Sequence, residues 1–103
     1  MSVIGDWDVS IKTPIGTLNV VYSFVERDGA VSGTAAGKSE TVPLVGIAVA
    51  EGVDGQRVTW HQTVTKPMRL KLDFDVHVRG DQMSGHSRAG RLPRSAVSGV
   101  RRA

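Results

Sequence analysis

Turn-forming residue pairs punctuate this chain from end to end, and the runs between them alternate apolar with polar side chains. Asp28-Gly29, Asp54-Gly55 and Gly80-Asp81 tolerate positive φ and close tight hairpins. Thr13-Pro14-Ile15-Gly16, Gly37-Lys38, Lys66-Pro67 and the stretch 89–93 supply the other breaks. The chain is thereby cut into eight runs, at 5–12, 17–27, 30–36, 39–50, 56–64, 68–79, 82–88 and 94–101. In one of them Leu70, Leu72, Phe74, Val76 and Val78 alternate with Arg69, Lys71, Asp73, Asp75, His77 and Arg79. A period of two sets one face of a strand against a core and the other in water. Trp7, Val9 and Ile11 alternate in the same way with Asp8, Ser10 and Lys12. No segment carries a helical period. The pattern predicts a single all-β domain over residues 1–103. Its expected form is an eight-stranded antiparallel up-and-down β-barrel, with a β-sandwich or OB-like barrel as the alternative.

Two-residue turns also fix register. About Asp28-Gly29, Phe24 faces Gly33 and Tyr22 faces Ala35. About Gly80-Asp81, Val76 faces Gly85 and Phe74 faces Ser87. Large inward side chains thus meet small ones, as the narrow interior of an eight-stranded barrel requires. The expected interior holds Val9, Ile11, Val20, Tyr22, Phe24, Val58, Trp60, Gln62, Leu70, Leu72, Phe74 and Met83. The run 39–50 breaks the pattern: Val42, Leu44, Val45, Ile47 and Val49 are apolar on both faces. Two readings follow. Either this strand joins outward-facing Val21 and Val25 in a subunit contact, giving a homodimer, or a bulge at Gly46 turns its side chains inward.

Composition bounds the chemistry. At 103 residues with 40% hydrophobic residues, the chain can bury one core. It has no cysteine, which excludes disulfides, thiolate metal sites and cysteine nucleophiles. Its N-terminus lacks the basic and apolar regions of a signal peptide, and no apolar run reaches membrane-spanning length. A cytoplasmic protein with no membrane partner is the expectation. His61, His77 and His86 show no metal-ligand spacing, and Ser32, Ser84 and Ser98 sit in no strand-to-helix elbow. No metal and no cofactor are expected. Asp73 and Asp75 read as a solvated outer face, with His86 opposite Asp75 across the hairpin. Nucleic-acid binding would call for aromatics on a basic surface, whereas the aromatics here fall on inward positions.

If the meander closes, its first strand pairs with its last, and Trp7 meets Arg101 at one barrel end. The Gly5-Asp6-Trp7 start, the up-and-down meander and the late Arg101 or Arg102 resemble the calycin barrels, which include lipocalins, fatty-acid-binding proteins and avidins. The resemblance implies that a Gly-X-Trp start and a late basic residue plug the closed end, and that the interior is a container. The chain lacks the C-terminal helix of lipocalins and the helical lid of fatty-acid-binding proteins.

The topology then places the mouth at the opposite end, where the loops carry prolines and Lys12, Lys38, Lys66, Arg88, Arg91 and Arg94. A positive rim over an apolar interior favours a small, largely hydrophobic, anionic ligand. The candidate ligand-binding residues are Tyr22, Phe24, Trp60, Gln62, Leu72 and Phe74 inside, with Lys38 and Arg91 on the rim. Two other readings stay open. The barrel is an enzyme that isomerises or cyclises an apolar substrate, with Tyr22 polarising it, or it is a structural or interaction barrel with a filled core.

Overall fold

The computed structural model describes residues 2–13, 16–65 and 69–102; Lys66, a candidate rim cation, lies outside them. The alternating runs form strands β1 (Gly5–Thr13), β2 (Gly16–Arg27), β3 (Ala30–Ala36), β4 (Thr41–Pro43), β5 (Val45–Gly52), β6 (Gly55–Val64), β7 (Leu70–Arg79), β8 (Gln82–Ala89) and β9 (Ser95–Arg101). They make one antiparallel sheet in the order β4-β3-β2-β1-β9-β8-β7-β6-β5. The first and last strands pair, so the sheet curls into a nearly closed up-and-down barrel. The two-residue turns set the registers read from the sequence: Phe24 faces Gly33, Tyr22 faces Ala35, Val76 faces Gly85 and Phe74 faces Ser87. Asp28 and Gly29 take φ of 53° and 80°, the left-handed pair of a tight hairpin. The next turn at that end centres on Val53-Asp54, one residue earlier than Asp54-Gly55.

Nine strands stand where eight were expected, because the fourth run divides at Leu44. Its first part, β4, pairs with β3, and its second, β5, pairs with β6. Between them the Leu44 amide donates to the Gly33 carbonyl, at 2.9 Å, and the Leu44 side chain is buried. One run therefore bridges the seam, hydrogen-bonded to one neighbour in its first part and to the other in its second. Gly46, at φ +63°, is the bulge: the β5–β6 register shifts between Val45 and Ala48. Beyond it Ile47 and Val49 pack against the core, while Val45 stays exposed. Ile47 and Val49 thus turn inward within one barrel, whereas Val45 on this run and Val25 on β2 remain exposed.

The inward positions form the core, from Trp7, Val9 and Ile11 on β1 to Phe74, Val76 and Val78 on β7. Small residues let the strands approach: a Cβ on Gly85 would stand 2.1 Å from the Asp75 carbonyl oxygen. The end holding both termini is closed. Residues 2–4 fold across it, with Val3 buried and its carbonyl accepting from Trp7 Nε1 at 2.8 Å. The Val3 amide in turn donates to Gln56 Oε1. Arg101 pairs with Trp7 across the β1–β9 ladder, its Cζ 4.4 Å from the indole ring centroid. Its guanidinium donates to the Ile4 and Ser2 carbonyls and to Asp81. A stacked cation held by this many acceptors closes this end of the barrel.

Candidate functional site

Five of the expected ligand-binding residues converge inside the barrel, and they converge on one another. Tyr22 on β2 and Trp60 and Gln62 on β6 are side chains on inward positions of two strands that do not pair. Tyr22 Oη donates to Gln62 Oε1 at 2.8 Å, and Trp60 Nε1 donates to the same oxygen at 3.1 Å. Burial makes each of these bonds obligatory, since an orphaned donor here would have no water to turn to. Around this cluster the rings interlock. Trp60 stacks on Phe74 with centroids 5.0 Å apart, and Phe24 meets Trp60 edge-on at 5.4 Å. Tyr22 contacts all three of these aromatics. All four rings are at most 2% exposed. Burial pushes the Tyr22 phenol well above its ordinary pKa, and the Gln62 hydrogen bond only partly opposes it. Tyr22 is therefore a neutral donor whose proton is already engaged.

The remaining candidates stand apart. Leu72 is half-buried against the core, at the loop end of the interior. Lys38 and Arg91 are exposed in the links after β3 and β8 and do not join the interior cluster. At this loop end the inward positions open gradually: Val20, Val64, Leu70 and Leu72 are half-buried, and Leu18 is 54% exposed. At the closed end the corresponding positions, such as Val78 and Met83, are buried. Aromatic packing thus fills the middle of the barrel, and the inward apolar positions reopen above it.

Charge follows the same axis. The loop end carries Lys12, Lys38, Arg69, Arg88, Arg91 and Arg94 against Glu40, which is engaged with Thr65 by two hydrogen bonds. Among the described residues, the side chains of Lys12, Lys38 and Arg91 make no hydrogen bond or ion pair. The opposite end presents Asp28, Asp54 and Asp81 in its three hairpin turns. The β8–β9 link at the loop end is braced. The Leu92 amide donates to the Ala89 carbonyl and Arg88 Nε donates to the Leu92 carbonyl, both at 3.0 Å. Gly90 supplies the left-handed residue this turn needs, at φ +56°.

The outer face of β6, β7 and β8 holds polar pairs that the sequence reading took as plain solvation. Arg57 donates twice to Asp75, and His61 Nδ1 lies 2.6 Å from Asp73 Oδ1. His86 is opposite Asp75 in the ladder, as expected, but the carboxylate's partner is Arg57. The hydrogen bonds from Arg57, with the nearby charges of Arg57, His86 and Arg94, hold the Asp75 carboxyl below its usual range against a smaller opposing effect of burial. A shallow groove of about 350 Å³ runs along this face past His61, Asp73, Asp75, His86, Arg88 and Arg94. These pairs were hidden because the β6–β7 link is long and fixes no register in advance; His61 and Asp73 prove to be direct cross-strand partners. Among the described residues no group of three or more His, Cys, Asp or Glu is placed to hold a metal ion.

No family model matches this chain, and no curated protein or solved structure is found to be similar to it.

Proposed function

We propose that the protein is a calycin-like binding barrel that takes a small, largely apolar, anionic ligand at its basic loop end, above a filled interior. The observation that carries this reading is the coincidence, at the loop end, of half-open inward apolar positions with cations whose side chains are unpaired. Leu18, Leu70 and Leu72 offer apolar surface there, and Lys12, Lys38 and Arg91 offer charge. Apolar surface supplies most of a small ligand's affinity, and a few charges orient it. Tyr22, Gln62 and Trp60 form the floor of this site rather than its contacts, because each is already bonded to another. No acid–base role is proposed for Tyr22.

The test is calorimetric titration with decanoate and with decyltrimethylammonium, which share a chain length and differ in charge. The carboxylate binds saturably, the cation does not, and Lys38→Gln with Arg91→Gln weakens decanoate severalfold. Equal binding of both amphiphiles, or of neither, contradicts the proposal. The interlocked aromatics favour one second reading: an interaction barrel with a filled core and no small ligand. Absence of decanoate binding in protein that melts normally selects it.

A further inference from the structure

We infer that the loop end docks on an anionic lipid bilayer surface, with the Gly90–Arg94 link as its tip. The inference rests on the proposal that the basic loop end is the recognition surface, and it names where the anionic amphiphile is met. The tip carries the argument. Leu92 is 55% exposed just after the Gly90-Arg91 turn, in a link flanked by Arg88 and Arg94. Two hydrogen bonds brace that link, and both use the backbone of Leu92, from its amide and to its carbonyl. The side chain is thus free of any structural duty in the turn and is held outward at little entropic cost. Lys12 lies beside the tip, since it pairs with Ala96 at the start of β9.

An exposed leucine next to Arg91, with Arg88 and Arg94 at the base of its link, matches the boundary of an anionic bilayer, where apolar surface enters between headgroups and guanidinium groups pair with phosphates. The whole-molecule field agrees. The three turns at the far end hold Asp28, Asp54 and Asp81, of which Asp81 is paired with Arg101 and the others stand near Arg27 and Arg79; the loop end is the more basic of the two and is the end a negative plane attracts. Single-stranded nucleic acid, the other polyanion a basic tip could meet, is engaged by stacking on exposed aromatics. Here Trp7, Tyr22, Phe24, Trp60 and Phe74 are all buried. Among the described residues no helix is long and apolar enough to cross a membrane, and surface docking requires none.

The experiment is co-sedimentation of the full chain with vesicles of phosphatidylcholine alone and of an equal mixture of phosphatidylcholine and phosphatidylglycerol. The chain sediments with the mixed vesicles and not with phosphatidylcholine alone, and added salt releases it. Arg91→Gln weakens binding about fivefold, the equivalent of the ~1 kcal/mol each basic residue gains near an anionic surface. Leu92→Asn weakens it roughly tenfold through lost apolar burial, with an unchanged melting temperature because the bracing bonds are made by backbone. Failure to sediment at low salt, or binding indifferent to both substitutions, overturns the inference. So does tighter binding to an oligonucleotide that Leu92→Asn leaves intact. If free decanoate binds while vesicles do not, docking fails and the loop-end site stands; if neither binds, both fail.

Discussion

Gln62 is the joint of the barrel interior, and its replacement by leucine has a consequence that changes sign with the background. In the native protein Gln62 Oε1 accepts from both Tyr22 Oη and Trp60 Nε1. Tyr22→Phe alone removes one donor, and the oxygen keeps the other. The expected cost is that of one ordinary hydrogen bond, about 0.5–1.5 kcal/mol. Gln62→Leu instead removes the shared acceptor and leaves two donors orphaned among rings that are at most 2% exposed. Each orphan costs about 1–3 kcal/mol, and the leucine recovers part of this through apolar burial, for a net loss of about 2–4 kcal/mol. In the Gln62→Leu background, Tyr22→Phe deletes an orphaned hydroxyl and therefore stabilises, by about 1–3 kcal/mol. The coupling between the two sites is thus about 2–4 kcal/mol, well beyond ordinary additivity error. Chemical denaturation of the four proteins of this cycle measures it. In a domain of this size Gln62→Leu lowers the melting temperature on the order of 10–20 °C. An effect of Tyr22→Phe that is equal in both backgrounds refutes the shared-acceptor geometry.

Three further outcomes follow from the same structure. Trp7→Ala removes the buried indole under Arg101 and its bond to Val3, and lowers stability by about 3–5 kcal/mol in urea titration; an unchanged midpoint removes the plug. Gly85→Ala drives a methyl to 2.1 Å from the Asp75 carbonyl oxygen, so the β7–β8 backbone must yield, costing about 1–3 kcal/mol by thermal melting; a neutral result means the strands are not so close. The Asp75 carboxyl is held low by Arg57, so its stabilisation is present above the ordinary aspartate pKa and is lost as pH falls through the depressed native value. Melting temperatures taken downward from neutral pH should therefore fall more steeply for the wild type than for Asp75→Asn, and parallel curves contradict the pairing.

Much of the barrel was legible because two-residue turns fix register and period-two alternation assigns faces. Phe24 opposite Gly33 and Val76 opposite Gly85 needed nothing further. The pairing of Trp7 with Arg101 followed from closure alone. The fourth run was not legible in the same way, since alternation cannot say where a strand leaves one neighbour for another. Leu44 and the Gly46 bulge make that exchange through backbone geometry. The interior residues were legible as a group, but their bonding to one another was not. Inward parity says that Tyr22, Trp60 and Gln62 share a space, not that Tyr22 and Trp60 both donate to the one Gln62 oxygen. Lys38 and Arg91 stand on exposed links at the loop end, where the order of turns put them. The outer-face pairs of Arg57 with Asp75 and His61 with Asp73 escaped because the β6–β7 register depends on a link without tight-turn chemistry.

Recognition at the loop end above a filled barrel is tested most directly by residue-resolved NMR during titration with decanoate. The largest backbone shifts are expected at Lys12, Lys38, Gly90 and Arg91, with the Trp60 indole and Gln62 amide signals nearly still. Shifts centred on Tyr22, Trp60 and Gln62 would mean that the aromatic core opens to admit the ligand, and shifts centred on Asp28 and Gly80 would put recognition at the wrong end of the barrel.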